Sequence, residues 1–300
     1  MRGEQQTHAD VQPAPAPVER WIPLRGDHAP LHLHVWEWSG MGRPFVLLHG
    51  LASNATTWLA VGRELAAQGH RVVAVDQRGH GRSDKPETGY DFAAVAEDLH
   101  LLLAEMAIAA PVIAGQSWGG NVVLAFGVRY SHAAHRLVFV DGGFLDLQAR
   151  PDMTWERVAT ELRPPPLAGT PRADLAQRIQ AMHPDWTAAG VEATLNNFEA
   201  LPDGTVRPWL TLERHMAILR AMWEQRPAAL YPLITCPVTI VVAEDAGNPS
   251  WMAAKRAQVT AAAQGLAQVR VHWLPDTAHD IHVHRPALLA ALMLDTLQEE

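Results

Sequence analysis

The stretch that decides how this chain is read is GQSWGG, residues 115–120. It follows a short apolar run, PVIA (111–114), and leads into NVVLAF (121–126), which has helical character. Glycines stand two residues before and two residues after Ser117, so a strand can pass into a helix through a turn too tight for side chains at those positions. Such a turn can hold the serine in a strained backbone conformation, its hydroxyl lifted above the edge of a sheet. The same six residues also suit an ordinary strand-to-helix turn whose serine merely caps the helix. The surrounding sequence has to separate the two readings.

Six apolar runs flank this turn on either side, at 45–48, 72–75, 112–114, 137–140, 238–243 and 269–274. Most are rich in valine and isoleucine without clean alternation, as in parallel strands covered on both faces. LHLHV (31–35) does alternate and predicts a half-exposed, antiparallel strand near the sheet edge. Between the runs lie helical patterns. In residues 91–106, Phe92, Val95, Leu99, Leu102 and Met106 recur at spacings of three and four behind Asp91, a plausible N-cap. Strand alternating with helix predicts an α/β fold with a doubly wound, mostly parallel sheet, whose ligands bind beyond the carboxyl ends of the strands, where Ser117 sits.

From residue 142 to 231 that rhythm breaks. The segment shows helix-like stretches at 153–162, 172–182 and 210–223, links such as RPPP (163–166), and no strand-like run. It reads as a helical lid insertion. The chain thus divides into an extended tail at 1–18 carrying PAPAP, a core of 19–141 and 232–300, and a lid of 142–231.

Bulk composition narrows the class. With 300 residues, 48% hydrophobic and 19% charged, the chain can bury a large core. A net charge of −8 without a basic run argues against nucleic acid. No apolar run reaches the roughly 18–20 residues of a membrane span, and the first 20 residues hold no apolar signal region. The single cysteine, Cys236, excludes an internal disulfide and suits a cytoplasmic protein; it is expected as a small buried apolar residue. Oligomeric state leaves no trace in the sequence.

Several motifs then line up: GQSWG (115–119) as a G-x-S-x-G elbow, HGL (49–51) after the run 45–48, DQRGHGRS (76–83) after 72–75, and DTAHD (276–280) after 269–274. In these motifs and their order, the chain resembles the α/β-hydrolase fold superfamily over about residues 20–298. The resemblance implies Ser117 as nucleophile and His279 as its base, although Ala278 stands where the family usually has glycine. It implies an oxyanion hole from the backbone N–H groups of Leu51 and Trp118. His49 is expected to shape that loop, and Asp76 and Arg78 to pair and fix the fold.

For the acid that orients the histidine, the resemblance offers Asp245, after 238–243 but without the family's usual glycine. Asp141, one strand earlier, is the alternative, and Glu244 the third choice. A serine hydroxyl needs such partners, because on its own it is a poor nucleophile at neutral pH.

Alternating histidines at His32/His34 and His282/His284 invite a metal reading, but neither pair brings an obvious third ligand, and no metal or cofactor is expected. Of 11 tryptophans, most are expected in packing, with Trp58, Trp155 and Trp223 as candidates to line an apolar pocket. The expected function is a serine hydrolase, a carboxylesterase or lactonase for a small apolar ester, acting through an acyl-enzyme. Rivals are a C–C bond hydrolase or cofactor-free haloperoxidase sharing the elbow, and a weakly catalytic ligand-binding protein. An epoxide hydrolase or dehalogenase would carry aspartate in place of Ser117.

Overall fold

A computed structural model describes residues 16–26, 31–149, 152–244 and 249–297. The core begins with β1 (Val18–Leu24), β2 (Leu31–Trp38), β3 (Gly42–Leu48), α1 (Leu59–Ala67), β4 (His70–Val75) and α2 (Phe92–Glu105). It continues with β5 (Val112–Gln116), α3 (Trp118–Arg129) and β6 (Arg136–Val140). After the lid it resumes with β10 (Val238–Glu244), α9 (Pro249–Gly265), β11 (Val269–Pro275), α10 (Ile281–His284) and α11 (Pro286–Asp295).

Eight strands form one sheet in the order β1-β2-β4-β3-β5-β6-β10-β11. β2 runs antiparallel to both β1 and β4, and the remaining pairs are parallel. Every residue of β5 and β6 is buried, as unbroken apolar strands under helices on both faces should be. One face packs Ile113, Val122, Phe126 and Phe139 with α2 and α3; the other packs Phe45, Leu47, Ala114 and Val140 with α1 and α11. Asp91 caps α2 by accepting the Ala94 N–H, as its position in the sequence implies.

The alternating stretch at 31–35 is antiparallel and second from the edge, as expected, but Leu33, His34 and Val35 are all buried, so it is not half-exposed; β1 covers its edge. Residue 18, placed at the end of the tail, already begins β1; residues 1–15 lie outside the described residues. Cys236 is half-buried against the core rather than fully buried.

The lid comprises α4 (Trp155–Glu161), β7 (Thr170–Pro171), α5 (Arg172–Met182), α6 (Ala188–Leu195), β8 (Phe198–Ala200), β9 (Thr205–Pro208), α7 (Leu212–Glu224) and α8 (Pro227–Leu230). α4, α5 and α7 fall on the expected helical stretches, whereas α6 and α8 lie outside them. The small antiparallel sheet β7-β9-β8 corrects the strand-free reading: strands of two to four residues are too short to show a hydrophobic period. Leu175, Ile179, Trp186, Val191 and Val206 form the lid's own core, which Val283 joins from the far end of the chain.

Candidate active site

Ser117 sits between β5 and α3 with φ 53° and ψ −121°, a backbone conformation that L-residues with a Cβ avoid. Its side chain makes no capping hydrogen bond to the helix. The cap alternative therefore has no bond behind it. The flanking glycines are steric necessities: a Cβ on Gly115 would collide with the Gly119 carbonyl, and one on Gly119 would lie 2.5 Å from the His49 carbonyl oxygen. The Ser117 N–H donates to the Val140 oxygen at 2.9 Å, and the Gly120 N–H to the Ser117 oxygen at 2.9 Å, locking the turn between strand and helix.

His279, in the loop after β11, faces the same cavity of about 230 Å³ as Ser117. Its Nδ1 lies 2.6 Å from Oδ2 of Asp141, the residue after β6. Asp141 is wholly buried and also has a positive φ, 44°. Its Oδ1 accepts from the Ala243 N–H at 3.1 Å, and its two oxygens accept from the Lys255 ammonium at 3.0 and 2.8 Å. Burial alone would favour the neutral acid. The His279 hydrogen bond and the charges of His279 and Lys255 reverse that and hold the carboxyl below the ordinary aspartate range.

An ionised carboxylate only accepts, so the Nδ1 of His279 carries the proton and Nε2 is left as the basic nitrogen. The surrounding protein disfavours the imidazolium, but 48% of the side chain is open. The hydrogen bond and charge of Asp141, with Asp280 adding to them, raise the pKa above the usual histidine value; Lys255 opposes.

Of the other candidate acids, Asp245 lies outside the described residues, and Glu244 pairs with Arg256 instead. Leu51 lines the cavity and Trp118 opens α3, and neither backbone N–H has an acceptor among the described residues. The loop carrying Leu51 is pinned by two buried histidines. His49 donates Nδ1–H to the Gly50 oxygen at 2.8 Å and accepts the Gln77 N–H on Nε2 at 3.1 Å. His80, which the sequence did not single out, accepts the Ala52 N–H on Nε2 at 3.2 Å. Burial lowers the pKa of both, so they stay neutral acceptors.

The expected Asp76–Arg78 pair does not form. Asp76 accepts from the Ala55 and Arg82 N–H groups and pairs with His34, while Arg78 makes a bidentate bond to Asp98 at 2.5 Å. Both still fix the fold, through other partners.

The tryptophans also land elsewhere. Trp58 is fully buried against His282, with ring centroids 4.6 Å apart, and its neighbour Thr57 lines the cavity instead. Trp155 stacks under Arg220 within the lid, and neither it nor Trp223 lines the cavities at the site. Trp209 does line a second cavity of about 850 Å³, with Pro164–Pro166 and Leu210, which shares Ala52 and Asn197 with the first. His34 meets Asp76, His32 meets Asp84 and His284 meets Asp185, while His282 lies beside His284 on the short helix α10.

A family profile described as "Alpha/beta hydrolase family" matches residues 45–292. The chain belongs to the alpha/beta hydrolase family. Among solved structures of the fold, E-2-(acetamidomethylene)succinate hydrolase superposes with a TM-score of 0.76 at 21% identity, covering 94% of this chain and 99% of that one. A thermophilic esterase from Thermogutta terrifontis superposes at 0.68 with 23% identity, covering 94% and 98%. In sequence, an uncharacterised protein of Mycobacterium tuberculosis is 39% identical over 105 residues, 35% of this chain and 30% of that protein. The chain spans about a third of the length of the first curated relatives it matches. No helix among the described residues is long and apolar enough to cross a membrane.

Proposed function

We propose that this alpha/beta hydrolase cleaves a carboxylic ester of a small, largely apolar substrate through an acyl-enzyme, with Ser117 as nucleophile, His279 as general base and Asp141 as the acid that orients it. The observation that carries the reading is the 2.6 Å contact from buried Asp141 to His279, which lines one cavity together with Ser117. Ser117 Oγ attacks the carbonyl carbon as His279 Nε2 takes its proton. The negative charge on the carbonyl oxygen is met by the N–H groups of Leu51 and Trp118, which are preorganised and spend nothing on reorienting. The imidazolium then protonates the leaving alcohol, and the same nitrogen activates the water that releases the acid. A cavity of about 230 Å³ at the serine favours a compact acyl or alcohol group there, with space for a longer apolar portion beside Trp209.

Turnover of a panel of aryl and alkyl esters tests the proposal, together with labelling by a serine-directed phosphonate. Labelling confined to Ser117 and a Ser117→Ala variant that folds but loses at least about 10⁴-fold in kcat are expected. A wild-type protein that turns over C–C or peroxide substrates but no ester would replace this reading with one of the rivals on the same elbow.

A further inference from the structure

We propose that Lys255 is a positioning residue of the active site, a buried cation that fixes the Asp141 carboxylate on His279 and sets how basic the imidazole is. This inference rests on the roles assigned above to Asp141 and His279.

Lys255 lies on α9 with its side chain 6% exposed. Its ammonium makes three bonds: to Asp141 Oδ1 at 3.0 Å, Asp141 Oδ2 at 2.8 Å and the Ala243 carbonyl at 3.0 Å. All three ammonium hydrogens are thereby used, and the Asp141 oxygens receive the Ala243 N–H and the His279 ring as well. A carboxylate gripped on both oxygens cannot rotate away from the imidazole. A buried ion pair adds little net stability, because desolvation cancels much of its attraction, so stability alone gives weak reason for a lysine here. Only two of the 24 basic residues of the chain are lysines, and the other, Lys85, has its ammonium on the Gly81 and Ser83 carbonyls. A guanidinium is a planar fork and could not reproduce this three-way contact on a compact ammonium's scale.

The electrical consequence follows from position. Oδ2 of Asp141 is shared between Lys255 and His279, so the cation stands about one carboxylate away from the ring. The charged and titratable groups that bear on His279 are Asp141 and Asp280, which favour the imidazolium, and Lys255, which opposes it. On the elements packed nearby, His282 of α10 feels His279, Asp280 and His49 of the loop after β3. Lys255 thus keeps the carboxylate ionised and stops Asp141 from making His279 so basic that it is protonated, and useless as a base, near neutral pH.

The test reads the pH profile of kcat/KM. Lys255→Met and Lys255→Gln remove the charge at similar length and should move the acid limb up by about one pH unit, with activity lost near pH 6.5 and largely recovered near pH 9. A lysine with only a structural role would lower activity equally at every pH and leave the limb in place. A limb that stays put in a folded neutral variant overturns the proposal.

A second measurement needs no variant. With only two lysines, ¹⁵N-lysine labelling gives two side-chain signals, and Lys85 serves as the internal reference. The Lys255 nitrogen should show an inflection at the same pH as kcat/KM, and a Lys255 signal that is flat across the acid limb overturns the proposal whether or not the variants fold. Loss of phosphonate labelling at Ser117 in the wild type would instead overturn the hydrolase reading itself, so the two failures are distinguishable.

Discussion

Acid should destabilise this protein through His282. The residue is fully buried on α10, its ring tilted against Trp58, and neither ring nitrogen has a hydrogen-bond partner among the described residues. Burial pushes its pKa down to about 4; Asp280 works against this, and the neighbouring rings of His279 and His49 add to it. In the unfolded chain the same imidazole titrates near 6.5. Between those two values the unfolded state binds a proton that the folded state refuses. Stability from this site is therefore complete above about pH 6.5 and is lost as pH falls toward 4.

At pH 5 the ratio of protonated to neutral forms is about 30 in the unfolded state and about 0.1 in the folded one, which costs about 2 kcal/mol relative to pH 8. His282→Leu removes the titration while keeping an apolar side chain of similar size beside Trp58. Urea unfolding of both proteins at pH 8 and pH 5 gives the comparison. The loss of stability between the two pH values should be about 2 kcal/mol smaller in the variant, because His80 and the carboxylates contribute equally to both proteins and cancel. Parallel losses in wild type and variant would refute the reasoning and show that water reaches the imidazole when it charges.

The remaining predictions concern the site. Asp141→Asn should lower kcat by about 10⁴-fold, since the wrong tautomer of His279 then faces Ser117, and should destabilise the protein by about 3–5 kcal/mol by leaving Lys255 buried without its counter-charge; steady-state kinetics and thermal melts check both, and a variant as stable as wild type would refute the second. Because Asp141 raises the pKa of His279, kcat/KM should rise with pH through a midpoint above 6.5, and a pre-steady-state profile with its midpoint below that value would count against the assignment. Trp209→Ala should change the preference among esters of graded chain length more than Trp155→Ala does, because only Trp209 lines the larger cavity; equal effects on every ester would place Trp209 in packing alone.

The fold was legible where its signals are local. Strands such as FVLL (45–48) and LVFV (137–140) carry their burial in their own composition, and the elbow carries its geometry in its glycines. β1 is hard to read because VERWIPL exposes most of its residues and Pro23 interrupts its short apolar end. The lid tryptophans were misassigned because residue type does not tell which way a lid helix faces. Lys255, by contrast, left a readable signal. Met252, Lys255, Val259 and Ala262 follow spacings of three and four and are all buried, so a lysine stood in the middle of an apolar stripe on α9. A charge on the buried stripe of a helix needs a partner, and here the partner is Asp141.

The choice between Asp141 and the end of β10 was not legible, because both follow strands that run into the same edge of the sheet. The structure gives the two strand ends different work. Ser117 and Asp141 end neighbouring strands, and each keeps a backbone bond to the next strand, Ser117 N–H to Val140 and Asp141 N–H to Val241, while its own φ turns positive. Such conformations cost on the order of 1–3 kcal/mol each and persist only where the surroundings overdetermine them. The end of β10 supplies part of that determination: Ala243 gives its N–H to the Asp141 carboxylate and its carbonyl to Lys255. A backbone used on both sides in this way holds the acid of the neighbouring strand. With His279 on Asp141 at 2.6 Å, the proposed mechanism takes its acid from the end of β6, and the Ala243 backbone of β10 supports it.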